Sequence, residues 1–312
     1  MKRSDGILLV NKHQGITSFD IVFHLRKILH IKRIGHCGTL DPIATGLVIV
    51  CIGRTTKLSQ FLSGEDKEYI AEFLLGTTTT TYDRLGETTN KADWSGVTEN
   101  KLSEVIESFT GEIEQEVPAY SAVKVGGKRM YTYARDGATV EQRSRQVHIY
   151  ELQLLEFEPP LVKISIVCSK GTYVRSLVND IGTRLGCGAV MSGLCRQRIG
   201  RFMLEDAMNL RQIAARDSLG KLDEKIIDPA EALGLPRLAV MEERKQTVLS
   251  GGALFGKDIR SHSGDFSEGD RISVVDGKGD LLAIGNALIG SSNLGINGNQ
   301  ATTPVFKYLR VI

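Results

Sequence analysis

The feature that most constrains the fold of this 312-residue chain is a pair of long runs, Val147 to Glu158 and Leu161 to Cys168, separated only by Pro159-Pro160. They read as two long strands joined in a hairpin, followed by a helix from about Tyr173 to Leu185 that stops at Gly186. A hairpin requires antiparallel pairing. Upstream, Gly6 to Asn11 reads as a buried strand. A helix begins near Thr17 or Ser18 with an apolar stripe of Ile21, Val22, Leu25, Ile28 and Leu29. Leu47 to Ile52 and Glu68 to Leu75 are further buried strands, with a short helix over Thr56 to Leu62 between them. Irregular alternation around a long hairpin predicts an α+β domain rather than a βαβ repeat, with a mixed, largely antiparallel central sheet and flanking helices.

Further along, Thr77 to Gly96 is polar and rich in turn residues, and a helix is expected from about Thr98 to Phe109, closed by Gly111. Asn209 to Leu222 reads as helical. After Pro229 to Pro236 the character changes: Asp270 to Val275, Leu281 to Leu288 and Val305 to Ile312 look like short strands, with a hairpin signal at Asp276-Gly277-Lys278-Gly279. This divides the chain into a domain over 1–236 and a small β-rich domain over 237–312. Gly290 to Ala301, dominated by Gly, Ser and Asn, is expected to be a mobile loop.

Composition narrows the function. At 41% hydrophobic and 24% charged the chain is ordinary globular protein, and no apolar run approaches the roughly 20 residues that span a bilayer. The opening Met1-Lys2-Arg3 leads only into a brief apolar run, so a cytoplasmic protein is expected. Five cysteines, an odd number without a Cys-x-x-Cys pair, read as reduced thiols, and no Cys/His spacing suggests a metal. The charge is uneven. Residues 1 to 60 hold nine Lys/Arg against three acids, and Ser121 to Gln146 holds six against two, interleaved with Tyr131 and Tyr133. Basic side chains beside aromatics suit a phosphate backbone and unstacked bases, although a charge run is more often a solvated face.

Two segments hold candidate chemistry. Gly35-His36-Cys37-Gly38-Thr39-Leu40-Asp41-Pro42 is expected in a loop that enters a central strand, where a scaffold can hold catalytic groups. By itself Asp41-Pro42 reads more readily as a turn or a helix start. In Ser169-Lys170-Gly171-Thr172-Tyr173-Val174-Arg175-Ser176, Thr172 is the expected N-cap, placing Arg175 in the first turn. A cation there opposes the positive helix end, so an anionic partner would explain it, as would a side chain reaching to solvent.

Several segments, in order and over nearly the whole chain, resemble the tRNA pseudouridine synthases of the TruB type. They include Gly6 to Lys12 with Gly15-Ile16-Thr17-Ser18, the Gly35 to Pro42 segment with Ala44-Thr45-Gly46, and Lys67-Glu68-Tyr69. Pro118 to Lys124, Gly171 to Ser176, Leu185 to Ala189, Leu194 with Arg196, and Gly200-Arg201-Phe202 follow in family order. The resemblance implies a pseudouridine synthase fold and an enzyme that isomerises uridine 55 in the tRNA T loop. The base is flipped out, the C1′–N1 bond is broken, the base is turned, and C1′ is rejoined to C5. No cofactor and no metal are implied.

It further implies Asp41 as the catalytic carboxylate, Arg175 as its ion-pair partner and Tyr69 as the ring against the base, with Tyr173 and Leu194 as pocket wall. His36 would fill the space left by the flipped base. Lys12, Lys57 and Lys124 would meet RNA phosphates, Pro118 to Gln146 would grip the RNA, and the C-terminal part would be a PUA-like RNA-binding domain. The partner implied is the tRNA T stem-loop, with no guide RNA, no membrane and a monomeric enzyme. Two departures stand out. His13 replaces a proline, and Thr79-Thr80-Thr81-Tyr82-Asp83 lacks the first acid of the family's pattern but keeps Asp83 as a supporting residue. The rivals are a tRNA-folding chaperone or other RNA-binding protein that needs no catalysis, and a uridine isomerase acting on another RNA.

Overall fold

The structure, a computed structural model, describes residues 5–118, 120–121, 123–125, 127–135, 143–294 and 303–312. The chain opens with β1 (Gly6–Lys12), α1 (Ser18–Leu29), β2 (Ile34–Cys37), β3 (Thr45–Ile52), α2 (Ser59–Leu62) and β4 (Lys67–Leu75). A small hairpin of β5 (Thr77–Thr79) and β6 (Thr88–Lys91) leads to α3 (Glu99–Glu107) and β7 (Gly111–Glu116). Next come β8 (Lys124–Val125), β9 (Lys128–Arg129), α4 (Met130–Arg135), β10 (Ser144–Glu158), β11 (Leu161–Cys168), α5 (Val174–Leu185) and β12 (Ala189–Ile199). The first unit closes with β13 (Phe202–Met203), α6 (Leu210–Ser218) and α7 (Pro229–Leu233). The last stretch holds β14 (Arg237–Val240), α8 (Lys245–Leu249), β15 (Ile259–Ser263), β16 (Arg271–Val275), β17 (Leu281–Ala287) and β18 (Phe306–Val311).

The central sheet runs in the order β1-β3-β12-β4-β11-β10-β7, with β2 added to β3 and β13 to β12. Only the β3–β12 pairing is parallel, so the sheet is mixed and largely antiparallel, as expected. The long hairpin is its β10–β11 pair. Four strands of this sheet, β2, β7, β12 and β13, have no counterpart in the sequence reading. β12 was missed because Ser192, Gly193 and a run of arginines interrupt its apolar pattern, although it lies at the middle of the sheet. β2 was missed because Gly35 and His36 are weak strand residues, so the expected loop of 35–46 is shortened to the turn between β2 and β3.

The unbroken apolar runs of β1 and β3 have a direct cause. Leu8, Val10, Val48, Val50 and Ile52 face the helices, while Ile7, Leu9, Leu47, Ile49 and Cys51 face the other way. That second face packs against Val275, Leu281, Ile284 and Ile312 of the C-terminal sheet. A strand buried on both faces has no reason to alternate. The C-terminal sheet, ordered β15-β14-β16-β17-β18, also has a core of its own around Leu238, Ile259, Ile272 and Phe306. The loop expected over Gly290 to Ala301 lies mostly outside the described residues. Among those described, no helix is long and apolar enough to cross a membrane.

Candidate active site

Asp41 sits in the turn between β2 and β3, and that turn is tied to the segment joining β1 to α1. The Leu40 N–H donates to Ser18 Oγ at 2.8 Å, and the Gly15 N–H donates to the Pro42 carbonyl at 2.9 Å. Lys12 Nζ donates to the carbonyls of Ile16 at 2.8 Å and Pro42 at 3.4 Å. Gly38 enters the turn at φ +88°, a conformation that costs a glycine little. Asp41 thus projects from a braced turn with a third of its side chain exposed.

Arg175 meets it from the first turn of α5. Its Nε lies 2.9 Å from Asp41 Oδ2 and its Nη2 lies 3.4 Å from Oδ1, a two-pronged approach that orients the carboxylate. The rest of the guanidinium is also engaged. Nη1 donates to the Thr81 carbonyl and Nη2 to the Tyr120 carbonyl, both at 3.0 Å, and Nη1 lies 3.6 Å from Asp83 Oδ2. Asp83 is itself fixed, accepting from Thr81 Oγ1 at 2.8 Å and the Leu85 N–H at 3.0 Å. The cation that seemed misplaced at a positive helix end therefore has two anions in front of it. Thr80, at the departure from the family pattern, uses its hydroxyl to accept from the Glu87 N–H and leaves Asp83 on Arg175.

The N-cap differs from the expectation. It is Tyr173, whose backbone is held in both directions by the buried Gln115 amide, at 2.7 and 2.9 Å. Thr172 instead donates to the Ser169 carbonyl at 3.0 Å. A long amide from a neighbouring strand satisfies the helix end, a tertiary contact with no local signal.

Asp41 and Arg175 open onto a cleft of about 340 Å³, at the small end of the range for ligand pockets, roughly 300–1,000 Å³. Tyr69, Tyr173, Leu194, Lys67 and Arg196 line it with them. Tyr69 is buried, which pushes its phenol up, while Arg196 pulls it the other way. Arg145 stacks over Tyr173 with 5.2 Å to the ring centroid. Burial also holds the Lys67 ammonium down at about 8, and Arg196 adds to that shift. Lys67, Arg196 and Gln115 were not among the expected site residues.

Other expected residues lie elsewhere. His36 is half-buried on β2 opposite Val50 and does not line the cleft. Lys12 is not a surface cation: it is 1% exposed and spends its ammonium on the carbonyls of the Asp41 turn. Lys57 donates to the Val311 carbonyl at 3.1 Å and so holds the C-terminal strand. Both lysines sit where backbone carbonyls need donors, which position in a basic stretch did not disclose. Lys124 falls on β8, and its side chain is outside the described residues. The five cysteines are free thiols, and among the described residues no group of His, Cys, Asp and Glu is placed to hold a metal.

The fold that holds this arginine-bound carboxylate is similar to that of chains in solved ribonucleoprotein assemblies. The chain superimposes over 98% of its length, with a TM-score of 0.72 and 26% identity, on 84% of a chain from an H/ACA RNP bound to a substrate RNA containing 2′-deoxyuridine. A Cbf5-Nop10-Gar1 complex contains another match at 0.72 and 29% identity, over 98% of this chain and 84% of that one. Residues 26–174 match the family model for the TruB family pseudouridylate synthase N-terminal domain, and residues 175–233 that for the tRNA pseudouridylate synthase B C-terminal domain. A tRNA pseudouridine synthase B of Syntrophus aciditrophicus is 39% identical over 309 residues, 98% of each chain. One of Symbiobacterium thermophilum is 45% identical over 253 residues, 80% of this chain and 83% of its own. This chain belongs to the TruB family of pseudouridylate synthases. The boundary between its two family matches falls between Val174 and Arg175, so Asp41 and its partner come from different matched segments.

Proposed function

We propose that this enzyme converts uridine 55 in the T loop of tRNA to pseudouridine. The observation that carries the reading is Asp41, gripped on both oxygens by a buried arginine yet open to the cleft. The base, flipped from its stack, enters the cleft between Tyr69 and Leu194. Heterolysis of C1′–N1 leaves the bonding pair on the base and an electron-poor C1′. The Asp41 carboxylate meets that deficiency, as a nucleophile or by charge alone. After the base turns, C5 bonds to C1′, N1 takes up a proton, and the hydrogen from C5 leaves to solvent. Nothing is oxidised, and no second substrate is consumed. Arg175 keeps Asp41 aimed, and Asp83 keeps Arg175 in place. Tyr173 forms part of the wall, and His36 fills the gap left in the RNA.

Relatives at 39–45% identity named for tRNA favour tRNA over the RNAs of the more distant ribonucleoprotein structures. In this reading the basic segment Pro118 to Gln146, Lys124 included, grips the T arm. The C-terminal sheet serves as a PUA-like RNA-binding unit, and the enzyme works as a cytoplasmic monomer without a guide RNA. The test is tritium release from an unmodified tRNA transcript carrying 5-tritiated uridine, followed by mapping of the modified position. Release from position 55 is expected. Release from another position would move the substrate assignment, and none from any tRNA would remove it.

A further inference from the structure

Arg196 has no part in the mechanism above, although it is one of the largest fully buried side chains, 1% exposed. It lies on β12 directly opposite Tyr69 on β4, so the two side chains share a face of the sheet. Its backbone is pressed against Gly46, where a Cβ would come within 2.4 Å of the Arg196 carbonyl oxygen. The guanidinium donates from Nε to the Leu47 carbonyl at 2.7 Å and from Nη2 to the Gly38 carbonyl at 3.3 Å, and its charge acts on the neighbouring Tyr69 phenol. Among the described residues no carboxylate pairs with it, whereas Arg175 has two. Burying a cation without a counter-ion is costly, and a neutral donor would serve the same two carbonyls. The charge therefore calls for a further explanation.

Arginine has donors and no acceptor. Towards a phenol such as that of its cross-strand neighbour Tyr69, a guanidinium can only donate, which leaves the O–H to point elsewhere. Among the described residues no acceptor takes that hydrogen, and Tyr69 lines the cleft. We propose that Arg196 is a positioning residue for Tyr69, which fixes the ring by donating to the phenol oxygen and leaves the O–H to donate into the cleft, to a polar edge of the target nucleotide. This rests on the uridine-isomerase reading. Its positive charge also draws the phenol towards its ionised form, against the effect of burial.

The test is a double-mutant cycle on a T-arm stem-loop, with Arg196→Met, Tyr69→Phe and the pair together. Each single change is expected to lower kcat by roughly 10²-fold with little change in RNA affinity. The double variant is expected to be no slower than the slower single. Arg196→Lys, which keeps a charge and donors, should recover part of the loss. Losses that multiply, or Arg196→Lys no better than Arg196→Met, would overturn the proposal.

A second readout does not need activity. In protein labelled with 3-fluorotyrosine, the Tyr69 signal, assigned by its loss in Tyr69→Phe, should titrate at higher pH in Arg196→Lys and Arg196→Met than in the parent. An unchanged titration would count against the proposal even if the enzyme isomerises uridine. A shifted titration in an enzyme that isomerises nothing would retain the Arg196–Tyr69 contact and remove only its catalytic use. If Arg196→Met does not fold, Arg196→Lys and Arg196→Gln carry the same cycle.

Discussion

Arg175 and Arg196 both line the cleft and both are almost sealed from solvent, yet among the described residues one faces two carboxylates and the other none. On the Arg175 side two carboxylates, Asp41 and Asp83, more than offset the one guanidinium, and the Thr81 and Tyr120 carbonyls take further donors. That side holds the Asp41 carboxylate at fixed geometry and leaves no positive charge over. The Arg196 side holds three buried cations, Lys12, Lys67 and Arg196, fastened mainly to backbone carbonyls. There the positive charge is left over. A glycosidic bond that breaks towards the base sends a negative charge into the cleft, and an unneutralised flank is where such a charge is stabilised. Under the proposed reaction the two flanks divide the work: one prepares the carboxylate for the sugar, and the other prepares the walls for the base.

The largest expected effect comes from removing the charge that the first flank exists to hold. Asp41→Asn should lower kcat on the order of 10⁴-fold, a loss of the size seen when a single charged member of a catalytic group is removed. Binding of the T arm should persist, because the segment proposed to grip the RNA, Pro118 to Gln146, does not include Asp41. Single-turnover isomerisation and a filter-binding titration measure the two effects separately. Isomerisation at an undiminished rate would dismiss Asp41.

Arg175→Met should come next, read as stability. It leaves the buried Asp83 facing an apolar side chain and removes the support from Asp41. Breaking a buried pair in this way costs about 3–5 kcal/mol. Arg196→Met strands only the Leu47 and Gly38 carbonyls while also removing an unpaired buried cation, so it should destabilise less. Urea unfolding of the two variants decides the comparison, and an equal or greater loss for Arg196→Met would mean that the second flank is balanced by charges not yet recognised.

How far the site could be read from sequence follows the same division. The long hairpin, α1 with its Thr17 cap, and the doubly buried β1 and β3 declare themselves through local apolar pattern and capping chemistry. Asp41 and Arg175 could be named through family resemblance, and the anomaly of a cation at a positive helix end pointed to the anion it faces. The second flank was nearly silent. β12 carries Ser192, Gly193, Arg196 and Arg198 in a strand at the middle of the sheet, a composition that reads as an exposed loop. Its burial depends on strands more than 100 residues away in sequence. Lys12 and Lys57 show the same limit from the other direction. Both sit in a basic stretch that suits RNA, yet their ammonium groups complete backbone carbonyls, which only the fold brings near them.

Lys12 gives a prediction in pH. Burial holds its ammonium down at about 8 against an ordinary 10.5, partly offset by Asp41 and reinforced by Arg196. Between these values the unfolded chain binds more protons than the folded one, so folding should gain stability as pH rises from about 8 towards 10.5. Below pH 8 the cost of burying the charged form is fully present. Lys12→Met lacks that ionisation, so the urea midpoint of the parent relative to this variant should rise between pH 7.5 and pH 9.5, roughly spanning the lowered value. A difference independent of pH would place the Lys12 ammonium in contact with solvent. The same measurement on Lys67→Met, whose ammonium is also held at about 8, tests whether the positive flank behaves as a group.

The smallest effect lies outside both flanks and sharpens the contrast between site and scaffold. Lys57 Nζ donates to the Val311 carbonyl, next to Ile312, which packs with β1 and β3 residues in the core shared between the two sheets. Lys57→Ala removes that one hydrogen bond, worth about 1 kcal/mol, and leaves every group in the cleft untouched. Its kcat on a T-arm stem-loop should match the parent, while the thermal midpoint falls by a few degrees, about 2–4 °C for a chain of this size or somewhat less. If Lys57 met the RNA instead, the stability would hold and the salt dependence of RNA binding would flatten by roughly one phosphate contact. The two measurements move in opposite ways, so a single variant decides whether this lysine belongs to the fold or to the substrate.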